Sequence, residues 1–205
     1  FDRILAENHA EDNWVQIPRR YSLDAENWKV NESRPYRDYM SLCYPLKGKE
    51  HDDGMHGVEW WDRQRERTDS KYDIDDTPSL QGSCWFLARS HYDRIGGMVE
   101  QPIPGENGYG QFAQEAQEIG MKTWLGGGAV KVNKKTFYAH LHKGKTYGRM
   151  YDFDHASNVR GINWSAEYWM RNRWEGRVHD IAWFIDEKFP GMPTWPVDWK
   201  EAWYK

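Results

Sequence analysis

Thirteen tryptophans in a chain of 205 residues constrain the fold more than any other feature. Each indole carries roughly 150–250 Å² of surface that folding has to remove from water. Disordered chains are poor in aromatics, and here aromatics reach 16%, so a packed interior is required. That interior does not lie in a bilayer: charged residues make up 29% of the chain, mean hydropathy is −0.99, and no stretch approaches the ~20 apolar residues of a membrane helix. The length suffices for one domain with a full core. A net charge of −4 and a pI near 6.1 argue against a surface devoted to nucleic acid. Cys43 and Cys84 match no zinc spacing and cannot form a disulfide scaffold, so they read as buried thiols in a reducing, cytoplasmic compartment. The chain has no signal-peptide pattern and opens without Met at Phe1-Asp2-Arg3, which reads as a fragment.

Local patterns interleave strands and helices, the signature of a mixed α/β domain. Trp14-Val15-Gln16-Ile17 alternates like a short strand and is expected to stop at Pro18, which cannot donate to a ladder. Residues 50–76 form a strongly polar excursion over the surface. Ser83-Cys84-Trp85-Phe86-Leu87-Ala88 has strand length. A short helix follows, with Ser90 and Asp93 at capping-box spacing and Gly96-Gly97 at its end. A second helix is expected over 111–119, its stripe Phe112, Ala113, Ala116 and Ile119, closed by Gly120. Short strands are expected at 122–125 and 129–133, then an alternating one at 136–142. The tail holds two aromatic-rich helical segments, near 165–173 and 178–188. Its Trp183, Trp195, Trp199 and Trp203 either pack onto the domain or stack on sugar faces.

Three groups of residues carry chemistry. Between Ile119 and Tyr151 there is no acid, while Lys122, Lys131, Lys134, Lys135, Lys143, Lys145 and Arg149 all occur. Such a run is either a solvated basic face or an anion-concentrating surface. Its end, Lys143-Gly144-Lys145-Thr146-Tyr147-Gly148-Arg149, has the composition of a lid. His140 and His142, two apart in a strand, share one face with Tyr138. They are metal ligands for Mn or Zn, or ordinary hydrogen-bonded imidazoles. Third, Glu106 and Asn107 stand side by side in the glycine-rich loop Pro104-Gly105-Glu106-Asn107-Gly108-Tyr109-Gly110, where they can bind sugar hydroxyls or act as a base. No apolar strand leads into that loop, so a dinucleotide site is not expected. Asp73-Ile74-Asp75-Asp76 imitates a metal-binding DxD motif, but no apolar strand precedes it, and it reads as an imitation.

Over residues 77–149 these pieces resemble, in order and spacing, the second half of a family 2 glycosyltransferase of the GT-A fold. Thr77-Pro78-Ser79-Leu80-Gln81-Gly82-Ser83-Cys84-Trp85-Phe86-Leu87-Ala88-Arg89 is similar to the strand leading to the acceptor side. Tyr92-Asp93-Arg94-Ile95-Gly96-Gly97 resembles the family's short helix ending in two glycines. Gly105-Glu106-Asn107 resembles its GED/GEN motif. Ala139-His140-Leu141-His142-Lys143 is similar to a stretch of the polypeptide N-acetylgalactosaminyltransferases, and phage-type family 2 enzymes are a further likeness. The region around Pro18-Arg19-Arg20-Tyr21-Ser22-Leu23-Asp24 resembles the stretch just after the metal-binding DxD or DxH motif.

The resemblance implies a partial GT-A-like mixed sheet flanked by helices, with a helical Trp-rich tail and the nucleotide-binding first half absent. It divides the chain into an acceptor- and metal-side portion, 1–150, and a helical extension, 151–205. It implies metal-dependent transfer of a hexose from a nucleotide sugar to the hydroxyl of a glycan, a protein or a hydroxymethylated DNA base, with no activity expected of an isolated fragment. Glu106 and Asn107 would face donor sugar and acceptor. His140 would complete a Mn²⁺ (or Mg²⁺) site. Lys143, Lys145, Tyr147 and Arg149 would close on the diphosphate. Two other classes compete: a non-catalytic carbohydrate- or partner-binding module that uses the Trp-rich tail, and a metal-dependent hydrolase built on His140 and His142.

Overall fold

The structure is a computed structural model that describes residues 1–45, 55–98, 114–141, 148 and 154–204. Two long strands, β1 (Trp14–Asp24) and β7 (Ala129–His140), run parallel at the centre of a five-stranded sheet. Three short strands complete it, all antiparallel: β2 (Lys29–Val30) and β6 (Phe86–Leu87) pair with β1, and β5 (Ile74–Asp76) pairs with β7. β3 (Met40–Leu42) and β4 (Gly57–Glu59) form a separate antiparallel pair. Helices α1 (Asp2–Glu7), α2 (Trp61–Glu66), α3 (Arg89–Arg94), α4 (Glu115–Leu125), α5 (His155–Met170) and α6 (Trp199–Tyr204) flank the sheets. The mixed α/β class and the helical tail are as expected from the sequence.

β1 does not stop at Pro18. The ladder with β7 jumps there: Pro18 faces Asn133, but Arg19 faces Phe137. A proline's missing N–H is tolerated at such a bulge, and the strand resumes beyond it. The resumed half carries Arg20 and Ser22 opposite Tyr138 and His140. Likewise 129–140 is one strand rather than two, and 122–125 is helical, the last turn of α4.

Helix α4 runs straight through Gly120. Ile119, Met121, Trp124 and Leu125 are all buried, and packing of that apolar surface outweighs the roughly 1 kcal/mol that a mid-helix glycine costs. The helix ends at Gly126, with Gly127 at φ 81° supplying the left-handed turn. In α3 the N-cap is Ala88, and Asp93 accepts from Arg89 Nε at 2.8 Å rather than capping with Ser90. The glycine ending holds, with Gly96 and Gly97 at φ 77° and 60°.

The tryptophans divide sharply. Trp124, Trp169, Trp199 and Trp203 are at most 2% exposed, whereas Trp28, in the turn between β1 and β2, is 82% exposed. The tail closes over the sheet by specific polar contacts as well. Trp195 Nε1 donates to the Leu42 carbonyl at 2.6 Å, and Lys188 Nζ reaches Asp76 at 2.6 Å. Trp199 and Trp203 are therefore core residues, and a sugar-stacking surface made from them is excluded.

Candidate functional site

Parallel strands leave their carboxyl ends on one side of a sheet, and ligands of open α/β folds bind beyond those ends. In this chain that position is a cleft of about 460 Å³. Arg20 reaches it from the C-terminal half of β1, and His140 from the last position of β7. The first turn of α4 supplies Glu115 and Gln117, and the segment before β6 supplies Gln81, Gly82 and Ser83. His56 and Gly57 come from the start of β4, and Met40 and Leu80 give the cleft an apolar floor. An apolar floor with a few convergent polar groups is the usual composition of a small-molecule site.

The sheet period explains why these side chains meet. Arg20 and Ser22 alternate with Arg19 and Tyr21, and they pair with Tyr138 and His140. The opposite face carries an aromatic cluster, with Tyr21 and Phe137 rings at 5.2 Å and the Arg19 guanidinium 4.0 Å from the Tyr36 ring. On the cleft side, burial and the neighbouring Arg20 lower the pKa of His140, leaving a neutral imidazole near pH 7. Burial also lowers the Arg20 guanidinium and raises the Tyr138 phenol. Tyr138 Oη lies 2.6 Å from Ser83 Oγ and 3.4 Å from Gln81 Oε1.

Gly82 is a glycine for a local reason. A Cβ there would stand 2.6 Å from Glu115 Oε1, so the carboxylate would have to shift to admit it. The missing side chain makes room for the Glu115 carboxylate beside the backbone. Glu115 also stands in the first helical turn, where the macrodipole favours negative charge.

Of the residues singled out from the sequence, the structure brings His140 to this cleft. Glu106, Asn107, His142, Lys143, Lys145, Tyr147 and Arg149 lie outside the described residues. The basic run is largely structural where described. Lys122 is buried and bonds Glu118 at 2.6 Å and the Gly97 carbonyl at 2.8 Å. Lys131 pairs with Asp76 at 2.5 Å, and Lys134 donates to the Arg67 carbonyl at 2.6 Å. These three lysines hold the fold together and do not form a one-sign surface. The imitation DxD is likewise consumed by structure. Asp75 accepts from Tyr39 Oη at 2.7 Å and faces Arg63 and Arg67, while Asp76 faces Lys131 and Lys188.

Sequence reasoning missed Arg20, Gln81, Glu115 and His56. For Glu115 the apolar stripe of the helix was legible, but its expected span of 111–119 put the acid mid-helix, whereas the described helix has it in the first turn. Among the described residues no three His, Cys, Asp or Glu side chains are grouped to hold a metal ion. His140 fits as a single ligand, because its neutral imidazole offers a lone pair.

No family model matches the sequence. Among solved structures, the fold is similar to that of GalNAc-T7, determined with UDP, GalNAc and Mn²⁺. The match covers 82% of this chain and 29% of that one, at 13% identity and a TM-score of 0.51. The chain therefore spans less than a third of the length of that structure, and the likeness establishes a GT-A-like fold.

Proposed function

We propose that this chain is the acceptor- and metal-side part of a glycosyltransferase that moves a hexose from a nucleotide sugar to an acceptor hydroxyl. What carries the reading is the convergence of His140, Arg20 and Glu115 on one cleft at the carboxyl ends of β1 and β7. The similar structure, solved with UDP, GalNAc and Mn²⁺, supports a sugar nucleotide as donor. In the reaction the acceptor oxygen bonds to the anomeric carbon, the bond from that carbon to the diphosphate breaks, and the acceptor loses its proton. Negative charge develops on the departing diphosphate, so cationic groups fixed nearby in advance lower the barrier.

Each residue has a place in that scheme. Glu115 accepts hydrogen bonds from hydroxyls of the sugar or acceptor, and the first turn of α4 and the gap at Gly82 hold its carboxylate in place. The neutral His140 contributes one ligand to a divalent ion, Mn²⁺ or Mg²⁺. Such an ion supplies Lewis-acid neutralisation of the diphosphate. Glu106 and Asn107 add a second carboxylate and an amide toward the donor sugar. Lys143, Lys145, Tyr147 and Arg149 form the strap over the phosphates. Residues 1–150 carry this chemistry, and 151–205 brace it. The acceptor is a glycan, a protein hydroxyl or a hydroxymethylated base.

Calorimetric titration of the chain with UDP-sugars, with and without Mn²⁺, tests the reading, together with release of nucleoside diphosphate. Expected are Mn²⁺-enhanced binding that His140→Ala removes and, once a nucleotide-binding half is supplied, turnover that Glu115→Gln reduces without a change in melting temperature. Binding that neither Mn²⁺ nor His140→Ala alters, with no turnover of any sugar nucleotide, would overturn it.

A further inference from the structure

Two residues that line the cleft each bury a hydrogen-bond donor with no acceptor among the described residues. Arg20 is 9% exposed, yet its Nε has no partner. Among the described residues its one carboxylate neighbour is Glu59, at 3.7 Å from a terminal nitrogen. Glu59 is committed elsewhere, since its Oε1 accepts from Arg37 Nε at 2.5 Å. Two guanidinium groups thus share one carboxylate, and Arg20 has the weaker claim on it. Its backbone is pinned by reciprocal hydrogen bonds with Arg37, at 3.0 and 2.8 Å, so the side chain cannot withdraw far from the cleft.

Gln81 is the second donor. It is 5% exposed, and its Oε1 is taken by Tyr138 Oη, itself held by Ser83 Oγ. The other end of the carboxamide, Nε2, has no partner. With Tyr138 donating to Gln81 Oε1 and accepting from Ser83 Oγ, the end of Gln81 left over among the described residues is the Nε2 donor. Buried donors are normally satisfied, and exceptions call for an explanation such as a ligand. A ligand with neutral hydroxyls alone would serve Gln81 but leave Arg20 with only its share of the Glu59 carboxylate. An oxyanion serves both, through charge-assisted bonds of the kind guanidinium groups form with phosphate.

We propose that Arg20 and Gln81 together form an anion-binding subsite that takes a phosphoryl group, with Arg20 supplying the charge and Gln81 a second, orienting donor. The assignment rests on the glycosyl-transfer reading only for the source of that group, which is either the donor's diphosphate or a phosphate borne by the acceptor. Glu115 does not compete for Arg20; its carboxylate is packed against Gly82.

The test is calorimetric titration of the full chain with inorganic pyrophosphate, uridine diphosphate and glycerol 3-phosphate. Arg20→Met should weaken pyrophosphate binding at least about tenfold and Gln81→Leu about fivefold. Glu59→Gln frees Arg20 from its shared counter-ion and should tighten binding about twofold or more, a gain that misfolding cannot produce. Stronger Arg20-dependent binding of uridine diphosphate than of glycerol 3-phosphate assigns the group to the donor, and the reverse order assigns it to the acceptor. Pyrophosphate affinity that is unchanged in both Arg20→Met and Glu59→Gln, or no pyrophosphate binding at all, overturns the proposal. Arg20-dependent anion binding without transfer from any sugar nucleotide would leave the subsite standing and remove the transferase reading. Transfer with donor and acceptor KM unchanged in Arg20→Met would do the opposite.

Discussion

Replacing Gly82 with alanine isolates what the position of the Glu115 carboxylate contributes. The added methyl would stand 2.6 Å from Glu115 Oε1, with Cδ at 3.3 Å and Cγ at 3.5 Å. Ordinary contact begins near 3.4 Å, so the carboxylate has to move by about 0.8 Å while its stem stays in place. The atom in the way is the far end of a flexible side chain, and Gly82 has no positive φ. The folded state therefore loses little, and the reduced freedom of the unfolded chain returns about 0.4–1 kcal/mol. Misplacing a catalytic group by about 1 Å costs on the order of 10²-fold in rate, equivalent to about 3 kcal/mol of transition-state stabilisation. Gly82→Ala should thus keep or slightly raise the melting temperature while, with a nucleotide-binding half supplied, kcat for nucleoside-diphosphate release falls about a hundredfold. Shortening the acid in the same background, Gly82→Ala with Glu115→Asp, should recover part of the loss. Full activity in Gly82→Ala would refute the role of that carboxylate. A loss of activity matched by a drop in melting temperature would show that Gly82 matters for folding instead.

Three further outcomes are expected from the packing. His91 is 3% exposed, its Nε2 lies 3.0 Å from Thr123 Oγ1, and burial lowers its pKa to about 4. The unfolded chain then binds the proton first, so this contribution is complete above about pH 6.5 and falls by about 3 kcal/mol as the pH drops toward 4. Denaturant midpoints between pH 7 and 4 should show that decline, and His91→Gln should flatten it. Removing the cation of the buried Glu118–Lys122 pair, 3% and 4% exposed at 2.6 Å, should cost about 3–5 kcal/mol in Lys122→Met, with Glu118→Gln in the same chain restoring part by thermal melting. Trp28→Ser should leave the melting temperature unchanged, because the indole is 82% exposed, whereas Trp203→Ala, at 1% exposed, should cost about 3–5 kcal/mol.

Much of the scaffold was legible in the order of residues. Gly96-Gly97 announced the end of α3, because residues there need positive φ. The alternation from Thr136 onward announced the end of β7 and placed Tyr138 and His140 on one face. The failed DxD at Asp73–Asp76 was legible too, since no apolar strand precedes it and its carboxylates are spent on arginines and lysines. The lysine run misled for a related reason: charge in a sequence does not reveal whether a lysine faces water, and Lys122 faces Glu118 inside the protein.

The chain's own periodicities and turn residues determined an α/β domain with a tryptophan-packed tail, because those signals act between residues a few positions apart. Only the tertiary structure decided that β1 continues past Pro18, that α4 continues through Gly120, and that Arg20, Gln81, Glu115 and His140 line one cleft. Those outcomes depend on partners far away in sequence. The bulge opposite β7 tolerates the proline, the buried faces of Trp124 and Leu125 outweigh the glycine, and the parallel pairing of β1 with β7 brings Arg20 and His140 to the same end of the sheet.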